Sequence, residues 1–206
     1  MVRVGEMRER VTILTLTEKA DRSGWEWTPT KTTWAKSEKT GRLSLFSTVG
    51  AGQEGYTFTL RRHPLTPAQA LRWRGRFAFV TDLSYPDRGH IEVGCAMIEP
   101  MVCTVTRTDI KKNELNRPTL TEAVKLSFPA CIVEKYAGFT AGDIHDTTTQ
   151  TLVAVCPKAV KLAPGEIVAV GGILDDDGEP CRYRVQVPHE LSEWKNEYEL
   201  TREADA

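Results

Sequence analysis

Few residues in this sequence could carry chemistry, and each candidate is tested by its context. Gly50-Ala51-Gly52-Gln53-Glu54-Gly55 spells G-x-G-x-x-G. A dinucleotide site needs that spacing between a strand and a helix, so that the helix N-terminus meets the pyrophosphate, with an acidic residue about 20 positions on. Here Tyr56 to Arg61 alternates like a strand, and no acidic residue occurs from Tyr56 to Thr81. The glycines therefore read as loop. Asp175-Asp176-Asp177-Gly178-Glu179 suggests a calcium loop, but with Gly178 sixth the first ligand would be Ile173 and the twelfth Arg184, and neither can coordinate the ion. A solvated hairpin turn is expected instead. His63, His90, His145 and His189 lack metal spacing, the five cysteines (95, 103, 131, 156, 181) form no C-x-x-C pair, and the serines show no nucleophile elbow. The expectation is no catalytic residue, no metal and no cofactor.

The basic residues are more informative. Arg61, Arg62, Arg72, Arg74 and Arg76 fall in a stretch free of carboxylates. Scattered arginines on a β-surface are often only a solvated face. Arginine used throughout instead of lysine favours fixed, forked contacts to carboxylates or phosphates, so these five form a candidate basic contact face. In a ring, each would be repeated around the axis.

The elements that must position them read as strands. The organising stretch is Leu71 to Cys95. Phe77-Ala78-Phe79-Val80 and His90-Ile91-Glu92-Val93 flank Pro86-Asp87-Arg88-Gly89, a turn sequence, so this segment is a hairpin expected to bury Phe77, Phe79, Ile91 and Val93 together. Arg74-Gly75-Arg76 is a second turn. Upstream, Met1 to Arg10 reads as an arm, Val11 to Leu16 as a strand, and Trp25 to Thr28 and Thr32 to Lys36 as strands interrupted at Pro29. Ser37 to Gly55 reads as a long loop with an apolar patch, Tyr56 to Arg61 as a strand, and Ala68 to Leu71 as one helical turn.

A second series begins beyond Pro100. Strand patterns recur at Val102 to Arg107, Ala130 to Lys135, Gln150 to Cys156, Ile167 to Val170, Tyr183 to Val187 and Glu197 to Thr201. Trp34 to Gly41 parallels Cys131 to Gly138, each a strand, a Glu-Lys pair and a glycine opening a loop. The order of elements thus repeats, although any all-β chain shows strands every ~8–12 residues. The chain of 206 residues is 40% hydrophobic, enough for a core, with no run approaching a membrane span or signal peptide. The cysteines sit in apolar runs and read as buried hydrophobes in a reducing compartment. Net charge is -1, but residues 1–100 carry +4 and residues 101–206 carry -5. That asymmetry suggests two units meeting different neighbours; equally, in a ring or stack, one half would attract the other's counterpart. The expectation is an all-β protein of two units, 1–100 and 101–206.

From Met7 to Glu99 the ordered features resemble the tailed-phage head-tail joining family, the head-closure or stopper proteins. They are Met7-Arg8-Glu9-Arg10-Val11-Thr12-Ile13, Gly24 before a tryptophan strand, Trp34-Ala35-Lys36 followed by Thr40-Gly41-Arg42, Tyr56 to Arg61, Arg74-Gly75-Arg76-Phe77, and Asp87-Arg88-Gly89-His90-Ile91-Glu92-Val93. Residues 102–201 look like a divergent copy, with Leu162-Ala163-Pro164-Gly165-Glu166 and Trp194 to Leu200 similar to the last turn and strand of such proteins. Family members commonly have one such domain, so the second has no assigned role.

The resemblance implies two small β-barrel-like domains in tandem, the first with a long projecting loop, in a virion protein of the phage neck that is synthesised in the host cytoplasm and assembled as a homo-oligomeric ring, a hexamer or dodecamer, below the portal and adaptor. Its long loop would lie towards the channel, help retain packaged double-stranded DNA without sequence specificity, and leave the far face for a tail terminator or tail tube. Lys39, Arg42, Leu43, Leu45 and Phe46 are the implied channel or inter-subunit residues. Leu45 and Phe46 either meet equivalent loops or fold back onto their own barrel. Neither a membrane partner nor an enzymatic activity is expected. A tail-terminator or other tail-side neck protein is the rival within this class; a small β-barrel nucleic-acid-binding module is the rival outside it.

Overall fold

The computed structural model describes residues 4–43, 53–108, 110–112, 118–120, 123–134 and 151–203. Alternating and β-branched runs in this chain form strands, and no α-helix occurs among the described residues. A short 3₁₀ turn, Val4–Glu6, precedes β1 (Glu9–Glu18), β2 (Trp25–Leu43), β3 (Gln53–Arg61), β4 (Gln69–Trp73), β5 (Arg76–Ser84) and β6 (His90–Met97). These six close into an antiparallel barrel in the order β1-β2-β3-β6-β5-β4. The second series is β7 (Met101–Arg107), the ribbon β8 (Ile110–Lys112) and β9 (Pro118–Leu120), then β10 (Val124–Glu134), β11 (Thr151–Pro157), β12 (Ile167–Leu174), β13 (Pro180–His189) and β14 (Lys195–Arg202). Setting the ribbon aside, the second barrel runs β7-β10-β11-β14-β13-β12, the same order strand for strand. The protein is therefore two closed six-stranded barrels of one topology in tandem.

Each barrel has its own core from inward-facing alternate residues. The first holds Val11, Ile13, Phe58, Leu60, Leu71, Trp73, Ala78, Val80, Ile91 and Val93; the second holds Val105, Phe128, Ala154, Val168, Tyr183, Tyr198 and Leu200. A third core lies between the barrels, built by Leu14, Ala70, Phe77, Phe79 and Ala96 of the first and Cys131, Val133, Val153 and Val155 of the second. Outward-facing residues of a small barrel normally meet water, so an apolar outer wall must be covered, and here each barrel covers the other. Two tryptophans reinforce the joint reciprocally. Trp25, from the first barrel, packs on the second core, and Trp194, from the second, packs on the first.

A backbone contact locks this arrangement. Gly24 forms a parallel bridge with Ser127, whose N–H donates to the Ser23 carbonyl at 2.7 Å while Lys19 Nζ donates to its hydroxyl at 2.7 Å. A Cβ on Gly24 would lie 1.8 Å from the Ser127 carbonyl oxygen, and the glycine φ of +141° is one that other residues rarely adopt.

Several sequence expectations change. Ala68 to Leu71 is not a helical turn: Gln69–Trp73 is β4, paired with β1 and β5, because closing the barrel needs a partner for each edge. Pro29 does not interrupt β2; a bulge at Ile13/Leu14 accommodates it, leaving Thr30 without a partner in the ladder. The expected loop Ser37 to Gly55 is shorter, since Ser37 to Leu43 continues β2 and Gln53 to Gly55 begins β3, with Gly41 paired to Gly55. Phe77 and Phe79 do not share a core with Ile91 and Val93. Strand alternation sends Ala78 and Val80 inwards and the two phenylalanines to the inter-barrel layer.

Phe77 is 1% exposed and its ring lies 5.5 Å from that of Trp27. Phe77→Ala should lower stability by about 3–5 kcal/mol in urea denaturation, as for deletion of a core aromatic. A loss below about 1 kcal/mol would show that the inter-barrel layer is loosely packed.

Candidate functional site

Two surfaces of the first barrel collect its charges, and the strand register separates them. The first is the end where β1 begins and the β4–β5 hairpin turns. Trp73 and Arg76 are the paired residues that close this hairpin, with Arg74 (φ 50°) and Gly75 (φ 81°) between them, the doubly positive backbone of a type I′ turn. Beneath it Trp73 packs tilted against Tyr56 and edge-on against Phe58, ring centroids 4.9 and 5.4 Å away, within the barrel core. Its indole N–H donates to Glu9 Oε2 at 2.9 Å, and Arg74 grips the same carboxylate through Nη2 at 2.8 Å and Nε at 3.3 Å. Hydrogen bonding to Arg74, then to Trp73, holds the Glu9 carboxyl below its usual range. Beside it Glu54 accepts from Lys39 Nζ at 2.6 Å and Arg76 Nη1 at 2.9 Å. Those two hydrogen bonds, Lys39 first, bring the Glu54 carboxyl down to about 2.

The second surface is the outer wall of β1, β2 and β3. Val11 and Ile13 face inwards, so Arg10 and Thr12 face out; Arg10 pairs with Trp34 across the sheet, and Thr12 lies between Thr32 and Arg72. The Arg10 guanidinium sits 5.9 Å from the Trp34 ring, which is 55% exposed. Arg61 joins Met7, Arg8, Thr32, Thr33 and Trp34 around a concavity of about 560 Å³. A neighbouring hollow of about 350 Å³ shares Thr33 and Arg61 and adds Lys31, Arg62 and His63. Arg62 lies 5.6 Å from the exposed Tyr85 ring. Among the described residues no carboxylate forms an ion pair with Arg10, Arg61, Arg62 or Arg72.

The five arginines singled out in the sequence are thus divided. Arg61, Arg62 and Arg72 belong to the outer wall, whereas Arg74 and Arg76 are already matched by Glu9 and Glu54 at the barrel end. Sequence distance hid those partners, since Glu9 lies 65 residues from Arg74. Arg8, Arg10, Lys31 and Trp34 join the wall without having been singled out as contact residues. The cue was available in the alternation of Arg8, Arg10 and Thr12 opposite Trp34. Of the loop candidates, Lys39 pairs with Glu54, Arg42 and Leu43 end β2, and Leu45 and Phe46 lie outside the described residues.

In the second barrel, the β12–β13 connection replaces the tight Arg74-Gly75 turn with Asp175 to Glu179. Asp175 Oδ1 accepts from the N–H groups of Asp177 and Glu179 at 3.1 and 2.8 Å, and its own N–H donates to the Glu179 carbonyl at 2.8 Å. Asp176, Asp177 and Glu179 remain exposed beside Leu174. At the other end of this barrel, Glu166 accepts from Arg107 Nε at 2.6 Å and from the Ala163 N–H at 2.8 Å, shaping the turn before β12. Buried Asn196 donates to the Lys158 and Val160 carbonyls, at 3.2 and 2.8 Å, and secures the same loop.

The five cysteines are buried and unbridged. Burial pushes the Cys103 thiol up to about 12 and those of Cys95, Cys131 and Cys156 well above their usual range, which suppresses the reactive thiolate. Among the described residues, no group of three or more His, Cys, Asp or Glu could hold a metal ion. Among the same described residues no helix is long and apolar enough to cross a membrane. No protein-family model matches the chain, and no curated protein matches it in sequence.

The Glu54 shift gives a pH signature. A carboxyl held below its ordinary 4.5 in the folded state stabilises above that pH and loses the contribution as pH falls towards about 2. Urea midpoints measured down this acid limb should fall less steeply for Glu54→Gln than for the unaltered chain. Equal slopes would show that the Lys39–Glu54–Arg76 cluster adds no net stability in solution.

Proposed function

We propose that this chain is a structural protein of the tailed-phage neck, a ring-forming head-closure or stopper subunit that helps retain packaged DNA and joins the portal and adaptor to the tail. The observation that carries the reading is where the resembling residues fall. Met7 to Ile13 enters β1, Trp34 to Gly41 lies in β2, Tyr56 to Arg61 is most of β3, Arg74-Gly75 is the β4–β5 turn, and Asp87 to Val93 leads into β6. An ordered set of short, individually weak motifs thus coincides with the framework of one closed barrel. The second barrel repeats its strand order.

Mechanically, the architecture suits a ring subunit. Two barrels sharing an apolar layer resist relative motion, as a wall under the pressure of packaged DNA requires. Beyond Ala35, β2 pairs only with β3 among the described residues, so that Lys36 to Leu43 has no ladder partner there on its other edge. Such an edge can add a strand from a neighbour, and its charged residues discourage indiscriminate pairing. Lys39, Arg42, Leu43, Leu45 and Phe46 would lie on the hairpin and loop directed to the channel or to the next subunit. On this reading the protein makes and breaks no covalent bonds and needs no cofactor.

Deleting the gene from its phage or prophage and imaging the lysate by electron microscopy tests the assignment. Expanded heads that have lost their DNA, beside separate complete tails, are the expected outcome. Filled heads beside tails of uncontrolled length would place the protein on the tail side, and normal infectious particles would contradict a neck role.

A further inference from the structure

The two barrels carry unmatched surfaces of opposite charge. On the first, Arg8, Arg10, Arg61 and Arg72 surround the outer wall of β1 to β3 with Trp34 exposed at its centre. On the second, the β12–β13 tip presents Asp176, Asp177 and Glu179 beside Leu174, which is 59% exposed. Among the described residues no hydrogen bond or ion pair joins the wall to the tip within the chain, and none of the three acids forms an ion pair. The equivalent hairpin of the first barrel is a two-residue turn, so the acidic extension is a property of the second barrel alone.

We propose that the acidic β12–β13 tip of one copy of this chain docks on the basic Arg10–Trp34–Arg61 wall of the next. The occupant is a second copy because each surface supplies what the other lacks. Arginine forks meet aspartates that stand free at a turn fixed by four internal hydrogen bonds involving Asp175 and Glu179, and an exposed leucine meets an exposed tryptophan in a hollow. An exposed tryptophan flanked by arginines, which docking would bury, is also the composition expected at the energetic centre of an interface. The contact is heterologous: wall and tip are different surfaces, so each copy uses one of each and the chain of contacts closes into a ring or continues. The +4 and -5 halves of the sequence have the signs this contact requires. The inference deepens the ring reading above and rests on it for the expectation that copies associate at all.

Sedimentation velocity on the full-length protein tests it, at protein concentrations up to about 100 μM. Salt is set at about 10 mM or about 1 M, where charges are felt over about 30 Å and about 3 Å. Two double variants reverse one surface each: Arg10→Glu with Arg61→Glu, and Asp176→Arg with Asp177→Arg. All four positions are exposed, and circular dichroism checks the fold of each variant. The unaltered protein should associate in low salt and dissociate in high salt. Each variant alone should associate at least about tenfold more weakly, and an equimolar mixture should recover association, because the reversed wall then meets the reversed tip. A monomer throughout, variants that associate like the parent, or a mixture that stays monomeric would each overturn the contact. Anisotropy with a labelled DNA duplex of about 20 base pairs provides a further arm. If wall reversal abolishes DNA binding while leaving self-association untouched, the wall belongs to nucleic acid and the proposal falls. The particle phenotype decides the neck reading separately, so the contact can fail while that reading stands.

Discussion

The apolar layer between the barrels is the contact on which the rest of the molecule depends. Phe77 and Phe79 point away from their own barrel, and without Val133, Val153 and Val155 opposite them they would be a hydrophobic strip on a solvated wall. Each aromatic buried there contributes about 1.5–3 kcal/mol relative to exposure, so a few such residues match the whole stability of an ordinary domain. The same layer dictates the run Phe77-Ala78-Phe79-Val80. A strand covered on both faces cannot alternate, and the small Ala78 fits the barrel interior while its large neighbours fill the joint.

Fixing the joint also fixes which surfaces remain. One wall of the first barrel, towards Leu14 and Ala70, is consumed by the second; further along the same strands, Arg10, Thr12 and Arg72 stay in water. The barrel end is satisfied internally, with Glu9 and Glu54 matched to Arg74, Arg76 and Lys39. What is left unmatched is a basic wall on one barrel and an acidic tip on the other, held in fixed relation by the joint. Functional meaning in this molecule lies in those faces, since closed barrels are a scaffold shared by many activities.

Much of the architecture was legible in the sequence because it rests on local rules. Strand periodicity, the Arg74-Gly75 and Pro86-to-Gly89 turns and the repeated order of elements are all short-range signals, and together they describe an all-β chain of two repeated units, while closure into barrels is implied by the family resemblance. The errors were long-range. Ala68 to Leu71 has helix-tolerant composition, and only the need to close the barrel makes it a strand. Ser37 to Gly55 is rich in breakers, yet β3 recruits both ends into a ladder. Phe77 and Phe79 were assigned to the wrong core because periodicity shows that a face is apolar, not what covers it. The arginine stretch looked like one face for a similar reason: its carboxylate partners, Glu9 and Glu54, lie elsewhere in the chain. The acidic turn was read correctly as a solvated hairpin, but its relation to a basic wall more than a hundred residues earlier has no local signature.

The central claim is that the inter-barrel layer makes two barrels into one cooperative body. Native-state hydrogen exchange, followed by mass spectrometry across increasing denaturant, addresses it most directly. Amides of β1, β5 and β6 in the first barrel and of β11, β13 and β14 in the second should converge on one opening free energy with one denaturant dependence. If the strands of either barrel exchange through a separate, lower-energy opening while the other stays protected, the barrels are independent domains in contact, and the account of the joint is wrong.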